Sequence, residues 1–247
     1  MLIVGNWKAY VEMPEEAKKL MVVVRRTAKA SKHKVVVAPS APHLALLKQG
    51  ARSKVAFAAQ DISLATTGAA TGELPASMLK RSGATYAILG HSERRARGET
   101  NEQVGEKVAR ALTVGLMPIV CIGERERDHD AEYLQELRAQ LSAAFAKLLP
   151  KDKLSIVIAY EPVWAIGKSA TDAIAPTDLA EMILYIRKLL SAHVPAKDVG
   201  KIKILYGGSV EAGSIRGLAG GSQVDGFLIG HASADPKMFA DLMKAIA

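Results

Sequence analysis

Leu154-Ser155-Ile156-Val157-Ile158-Ala159 is apolar at almost every successive position, and it runs into Tyr160-Glu161-Pro162-Val163-Trp164. A strand with one wet face alternates apolar and polar residues. A run that does not alternate suits a strand buried on both faces, as in a parallel sheet. Downstream, Leu179, Met182, Ile183, Ile186 and Leu190 recur at helical spacing, which gives a helix one apolar stripe to pack with. One strand-then-helix unit decides little, but this one recurs. Runs of the same kind are Leu2-Ile3-Val4, Lys34-Val35-Val36-Val37, Val55-Ala56-Phe57-Ala58 and Thr85-Tyr86-Ala87-Ile88-Leu89. Pro118-Ile119-Val120-Cys121, Ile202-Lys203-Ile204-Leu205 and Val224-Asp225-Gly226-Phe227-Leu228-Ile229 follow.

Helical patterns fill the gaps. Leu134, Leu137, Leu141, Phe145 and Leu148 share one helix face. Pro14 with Glu15 and Glu16 reads as a first helical turn, and Thr100 with Gln103 as a capping box. The count is eight strand–helix units. A length of 247 residues admits two small domains or one α/β barrel. An open doubly wound sheet competes, but no G-x-G-x-x-G follows an early strand. The expectation is an α/β fold: a closed barrel of eight parallel strands with helices outside, residues 1–247 forming one domain, with no sheet edge left unpaired.

Composition narrows the function. Apolar residues at 49% and charged residues at 23% describe an ordinary globular chain. The single cysteine, Cys121, excludes an internal disulfide and a cysteine-built zinc site, and favours a reducing compartment. No signal-peptide pattern and no membrane-length apolar run is present. The expectation is a cytoplasmic protein with no membrane association. The net charge of +8 is dispersed; it describes a solvated basic surface or a field that favours anionic substrates. Aromatic residues at 5% argue against base stacking, so no nucleic-acid partner is expected.

In a (β/α)8 barrel the reactive face lies at the carboxyl ends of the strands. The first strand ends in Asn6-Trp7-Lys8, the fourth in Gly90-His91-Ser92-Glu93-Arg94-Arg95 and the sixth in Tyr160-Glu161. The seventh and eighth run into Tyr206-Gly207-Gly208-Ser209 and Gly230-His231. Each of these is weak alone: a lysine is most often a solvated tether and a Gly-Gly turn only a turn. Together they bring an amide, an ammonium, an imidazole and a carboxylate to one mouth. Two glycine turns expected to lead into helices lie beside them, a suitable phosphate cradle. His33, His43, His129 and His193 have no metal-binding spacing and are assigned to surface or packing; Cys121 reads as inert core. No metal and no cofactor is expected.

Those strand ends, with Thr71-Gly72-Glu73, Cys121-Ile122-Gly123-Glu124, Glu161-Pro162-Val163-Trp164-Ala165-Ile166-Gly167 and Asp225-Gly226-Phe227-Leu228-Ile229-Gly230, resemble the triosephosphate isomerase family along essentially the whole chain. The resemblance implies the TIM barrel fold and metal-free interconversion of dihydroxyacetone phosphate and D-glyceraldehyde 3-phosphate in glycolysis and gluconeogenesis. It implies Glu161 as general base, with Lys8 and Asn6 at the developing oxyanion and the substrate. His91 becomes a neutral electrophile, an arrangement for which this family is itself the standard example. It implies Gly167, Ser209, Gly230 and His231 as phosphate contacts, and Ser92 and Glu93 as supports of the catalytic groups. Thr71-Gly72-Glu73 becomes the loop tip that inserts into a second subunit, giving a homodimer. Pro162-Val163-Trp164 becomes the hinge of a lid.

Two departures stand out. The lid reads Ile166-Gly167-Lys168-Ser169-Ala170-Thr171-Asp172-Ala173-Ile174-Ala175-Pro176, without the family's second glycine, so Lys168-Ser169-Ala170 is expected to replace the far hinge. His231 stands where the family has a second glycine, and would be strained if that position required positive φ. Two other readings are an inactive dimeric phosphate-binding barrel and a different phosphosugar enzyme.

Overall fold

The computed structural model describes residues 1–48, 53–127, 131–167 and 174–247. Among them, eight parallel strands close in sequence order into a (β/α)8 barrel. These are β1 (Leu2–Asn6), β2 (Lys34–Ala38), β3 (Ala56–Ala59), β4 (Tyr86–Leu89), β5 (Met117–Ile122), β6 (Val157–Tyr160), β7 (Lys203–Tyr206) and β8 (Gly226–Ile229). Closure is made by β1, which pairs with β2 from Leu2↔Lys34 and with β8 from Leu2↔Gly226.

Successive apolar residues serve two separate cores. Leu2, Val4, Val36, Ile88, Cys121 and Leu228 fill the barrel interior. Ile3, Val35, Val37, Leu89 and Val120 point outward against the helices. This two-sided burial is why the runs do not alternate.

The outer layer comprises α1 (Pro14–Ala30), α2 (Ala41–Lys48), α3 (Ala76–Arg81), α4 (Ser92–Arg95), α5 (Asn101–Thr113), α6 (Tyr133–Ala146), α7 (Pro176–Leu190), α8 (Ile215–Gly221) and α9 (Pro236–Ala245). Pro14 opens α1, whose buried stripe runs through Ala17, Leu20, Met21 and Val24. Thr100 and Gln103 complete the expected capping box of α5. α5 crosses α6 so closely that a Cβ at Gly105 would lie 2.3 Å from the Ala143 carbonyl oxygen.

Three local expectations change. The sixth strand begins at Val157, because Leu154 and Ser155 lie in the turn after the short 3-10 helix Pro150–Asp152. The eighth begins at Gly226 rather than Val224, with Asp225 just ahead of it already bonded to both neighbours, its N–H donating to the Ile204 carbonyl at 2.8 Å and its carbonyl accepting the Leu2 N–H at 2.9 Å. The glycine turn after β7 does not open directly onto a helix: residues 210–214 intervene before α8. After β8 the chain first makes the single 3-10 turn His231–Ser233 and then enters α9.

The other histidines pack. His33 hydrogen-bonds the Met1 ammonium and the Ile246 carbonyl, His43 pairs with Ser40, and His193 stacks on Phe145. His129 lies outside the described residues. No described helix is long and apolar enough to cross a membrane.

Candidate active site

The carboxyl ends of the strands surround a cavity of about 380 Å³. Asn6, Lys8, His91, Glu161, Gly167, Ser209, Gly230 and His231 all line it, brought together from five separate stretches of chain.

Asn6 is the last residue of β1, and its Oδ1 accepts the Lys8 N–H at 3.1 Å. Lys8 itself has φ 47°, a left-handed conformation that costs a non-glycine residue energy unless its surroundings enforce it. Gln60 supplies part of that enforcement. Its Nε2 donates to the Lys8 carbonyl at 2.8 Å and to the Ala38 carbonyl at 2.9 Å. Gln60 carries no motif in the sequence; the available signal is that a polar residue directly ends the third apolar run.

The Lys8 ammonium pairs with Glu93 at 2.6 Å. Partial burial pushes the Glu93 carboxyl up, but the hydrogen bond and charge of Lys8 outweigh it and hold the group below the usual glutamate range. Glu93 is thus tied to Lys8 as well as to His91 through its backbone. Its N–H donates to His91 Nδ1 at 3.2 Å, which makes His91 the N-cap of α4. A nitrogen that accepts carries no proton. The neutral ring therefore holds its proton on Nε2, the nitrogen 3.4 Å from Glu161 Oε1.

Glu161 follows β6 and is almost wholly buried. Its N–H donates to the Ile122 carbonyl at 2.7 Å, continuing the strand pairing, and its Oε2 accepts the Ser92 N–H at 3.2 Å. Gly207 is required opposite it, since a Cβ there would meet Glu161 Cγ at 2.7 Å. Cys121 lies behind the carboxylate; burial first, then the Glu161 charge, pushes its thiol well above the ordinary value.

The segment leaving Glu161 is anchored by a fully buried carboxylate. Glu124 Oε1 accepts from Tyr160 Oη at 2.8 Å, Trp164 Nε1 at 2.9 Å and Arg127 Nε at 3.2 Å. Burial and the Glu124 charge push the Tyr160 hydroxyl far up, so it stays a donor. Arg127 also lies over the Trp164 ring, 4.8 Å from its centroid. Gly167, with φ 70°, ends the described part of this segment. The expected far hinge, Lys168-Ser169-Ala170, lies outside the described residues.

Opposite Glu161, Gly208, Ser209, Gly230 and His231 form the glycine-rich wall. His231 is not among the residues with positive φ, so the strain expected for a left-handed position does not arise. Tyr10 also lines the cavity, unremarked in the sequence although it stands two residues past Lys8.

Thr71-Gly72-Glu73 stands apart from the cavity, at an exposed loop tip. Its base is closed by the Ser63 N–H bonded to the Leu74 carbonyl at 3.0 Å.

Comparison with known proteins identifies the family. The family model described as triosephosphate isomerase matches residues 1–246. The triosephosphate isomerase of Magnetococcus marinus is 41% identical, with 99% of this chain and 98% of that protein covered. That of Thermus thermophilus is 39% identical, with the same coverage. That of Corynebacterium diphtheriae is 39% identical over 98% of this chain and 95% of its own. On a match that runs almost from end to end, the chain belongs to the triosephosphate isomerase family.

Proposed function

We propose that this chain interconverts dihydroxyacetone phosphate and D-glyceraldehyde 3-phosphate, with Glu161 as the base and His91 as the electrophile. The observation that carries the assignment of roles is the facing pair: a buried carboxylate 3.4 Å from an imidazole nitrogen that bears the proton. Glu161 takes a proton from the carbon beside the carbonyl. The released electron pair forms the carbon–carbon double bond of an enediolate, and the carbonyl π electrons move onto oxygen. His91 Nε2–H and the Lys8 ammonium stabilise that oxygen, and Asn6 holds the substrate beside them. Donors fixed in place before the charge develops are worth about 3 kcal/mol or more each. His91 gives its proton to that oxygen and takes one from the neighbouring hydroxyl. Glu161 then returns its proton to the adjacent carbon. The net change is one proton moved between carbons and one between oxygens, with no redox step.

The substrate phosphate is assigned to the wall of Gly167, Ser209, Gly230 and His231, where the two glycines leave the backbone open to a close approach. Ser92 and Glu93 support Glu161 and Lys8. Residues 1–247 are taken as one barrel domain working in the cytoplasm as a homodimer. The dimer is supported by the exposed tip Thr71-Gly72-Glu73 and by the exposed apolar side chains of Met13, Leu74 and Met78. A coupled assay with glyceraldehyde 3-phosphate tests the activity. No turnover by the parent chain overturns the reading, and unchanged turnover in Glu161→Gln overturns the role of the base. Light scattering that shows a monomer at micromolar concentration overturns the dimer.

A further inference from the structure

At the glycine-rich wall of the cavity two aromatic side chains meet that the isomerisation itself does not call for. The rings of Tyr10 and His231 lie 5.1 Å apart at 75°, an edge contact, and both residues line the cavity. Tyr10 is 54% exposed, so the contact is not a by-product of core packing. Among the described residues no carboxylate lies within ion-pair distance of His231, which leaves its ring nitrogens free for a ligand. The same wall approaches the cation: a Cβ built at Gly230 would lie 3.4 Å from Lys8 Cε. An anion bound between Lys8 and Gly230 therefore sits beside His231.

We propose that His231 donates an imidazole N–H to the substrate phosphate, and that Tyr10 is the positioning residue that keeps the ring at the cavity wall. This rests on the isomerase reading and deepens it. Where the family resemblance leads one to expect a second glycine, this chain places a donor on a side chain, and a free imidazole would rotate away without a neighbour. Edge-on contact between flat rings restricts that rotation while leaving the ring nitrogens available.

The test uses the full chain with His231→Gly, His231→Gln, Tyr10→Ala, Tyr10→Phe and the Tyr10→Ala/His231→Gly double variant. KM and kcat are measured with glyceraldehyde 3-phosphate, together with the inhibition constant of inorganic phosphate at constant ionic strength. A hydrogen bond to a charged group corresponds to about a tenfold change. His231→Gly and Tyr10→Ala are expected to raise KM and the phosphate inhibition constant roughly 5- to 20-fold. Their kcat should change less than about twofold, because neither residue touches the reacting carbons. His231→Gln, which keeps a donor, should recover part of the loss. Tyr10→Phe should match the parent, since the contact uses the ring and not the hydroxyl. The double variant should be no worse than His231→Gly. The proposal is overturned if His231→Gly leaves both constants unchanged, if Tyr10→Ala is equally harmful in the His231→Gly background, or if Tyr10→Phe behaves as Tyr10→Ala. A parent chain that neither turns over nor binds phosphate removes the underlying reading as well. An active, phosphate-inhibited parent matched by every variant removes only this inference.

Discussion

Glu161 is held at both carboxylate oxygens, Oε1 lying 3.4 Å from His91 Nε2 and Oε2 accepting the Ser92 N–H at 3.2 Å. The proposed base and electrophile thus share one short stretch of chain, His91-Ser92, as their common support. Glu161→Gln keeps an acceptor for Ser92 and nearly the same volume, but it cannot take a proton. Its kcat should fall about 10²–10⁴-fold, with the melting temperature little changed. Steady-state kinetics and thermal melting of the same preparation check both halves.

His91 has two separable duties, since Nδ1 caps α4 and Nε2 faces Glu161. His91→Ala loses both and should cost about 0.5–2 kcal/mol of stability as well as turnover. His91→Asn restores a capping oxygen without an imidazole. It should recover much of the stability while kcat stays low. Urea unfolding beside the coupled assay separates the two effects.

Gly207 and Gly123 both abut Glu161 in different ways. A Cβ at Gly207 would press on Glu161 Cγ at 2.7 Å, whereas one at Gly123 would overlap the Glu161 carbonyl oxygen at 1.9 Å. Gly207→Ala should displace a side chain and lower kcat at a modest stability cost. Gly123→Ala must move backbone and should lose at least about 1–3 kcal/mol, as overpacked cores do. If Gly207→Ala proves the less stable of the two, this ordering of side chain and backbone is wrong.

Cys121 sets an alkaline limit. Its folded-state pKa is raised by burial and by Glu161, so the folded chain keeps a proton that the unfolded chain gives up. The contribution is intact below the ordinary thiol range and is lost as pH rises above it, at about 1.4 kcal/mol per pH unit. Cys121→Ala should therefore lose less stability than the parent between neutral pH and about pH 10, measured by urea unfolding at each pH.

Lys107 is buried, with its ammonium 2.8 Å from both Asp61 oxygens and also bonded to Glu99. Burial pushes the Asp61 carboxyl up, and Lys107 only partly opposes it. Lys107→Met leaves Glu99 without this cation and Asp61 with Arg94 alone, 2.9 Å away, and should cost about 3–5 kcal/mol near neutral pH. The loss should shrink toward pH 5 as Asp61, whose carboxyl burial already pushes up, takes up a proton. An equal loss at both pH values would assign the effect to packing.

The barrel was legible because its strands are wetted on neither face, so Leu2, Ile3 and Val4 announce a buried strand without alternation. Strand starts were less legible. Leu154 is apolar yet 37% exposed in a turn, and Val224 lies ahead of the strand pairing, which starts only with the Asp225 backbone. α4 has no periodicity to read, being four residues begun by the His91 side chain. At the site, strand ends and resemblance name Asn6, Lys8, His91 and Glu161. The sequence is silent on Gln60, because its use depends on the left-handed turn at Lys8, a property of the folded backbone. It is equally silent on the His91 tautomer, which depends on where the Glu93 N–H points.

The pairing of β1 with β8 has a cost in time. The first strand synthesised finds its second neighbour only when the last has left the ribosome, so a nascent chain carries an open edge for most of its translation. Contacts between segments so far apart in sequence form late and slowly, and an uncovered parallel edge invites pairing with other chains meanwhile. The hazard in making this enzyme lies in that waiting period, where slower synthesis of the final segment lengthens exposure without altering the finished molecule.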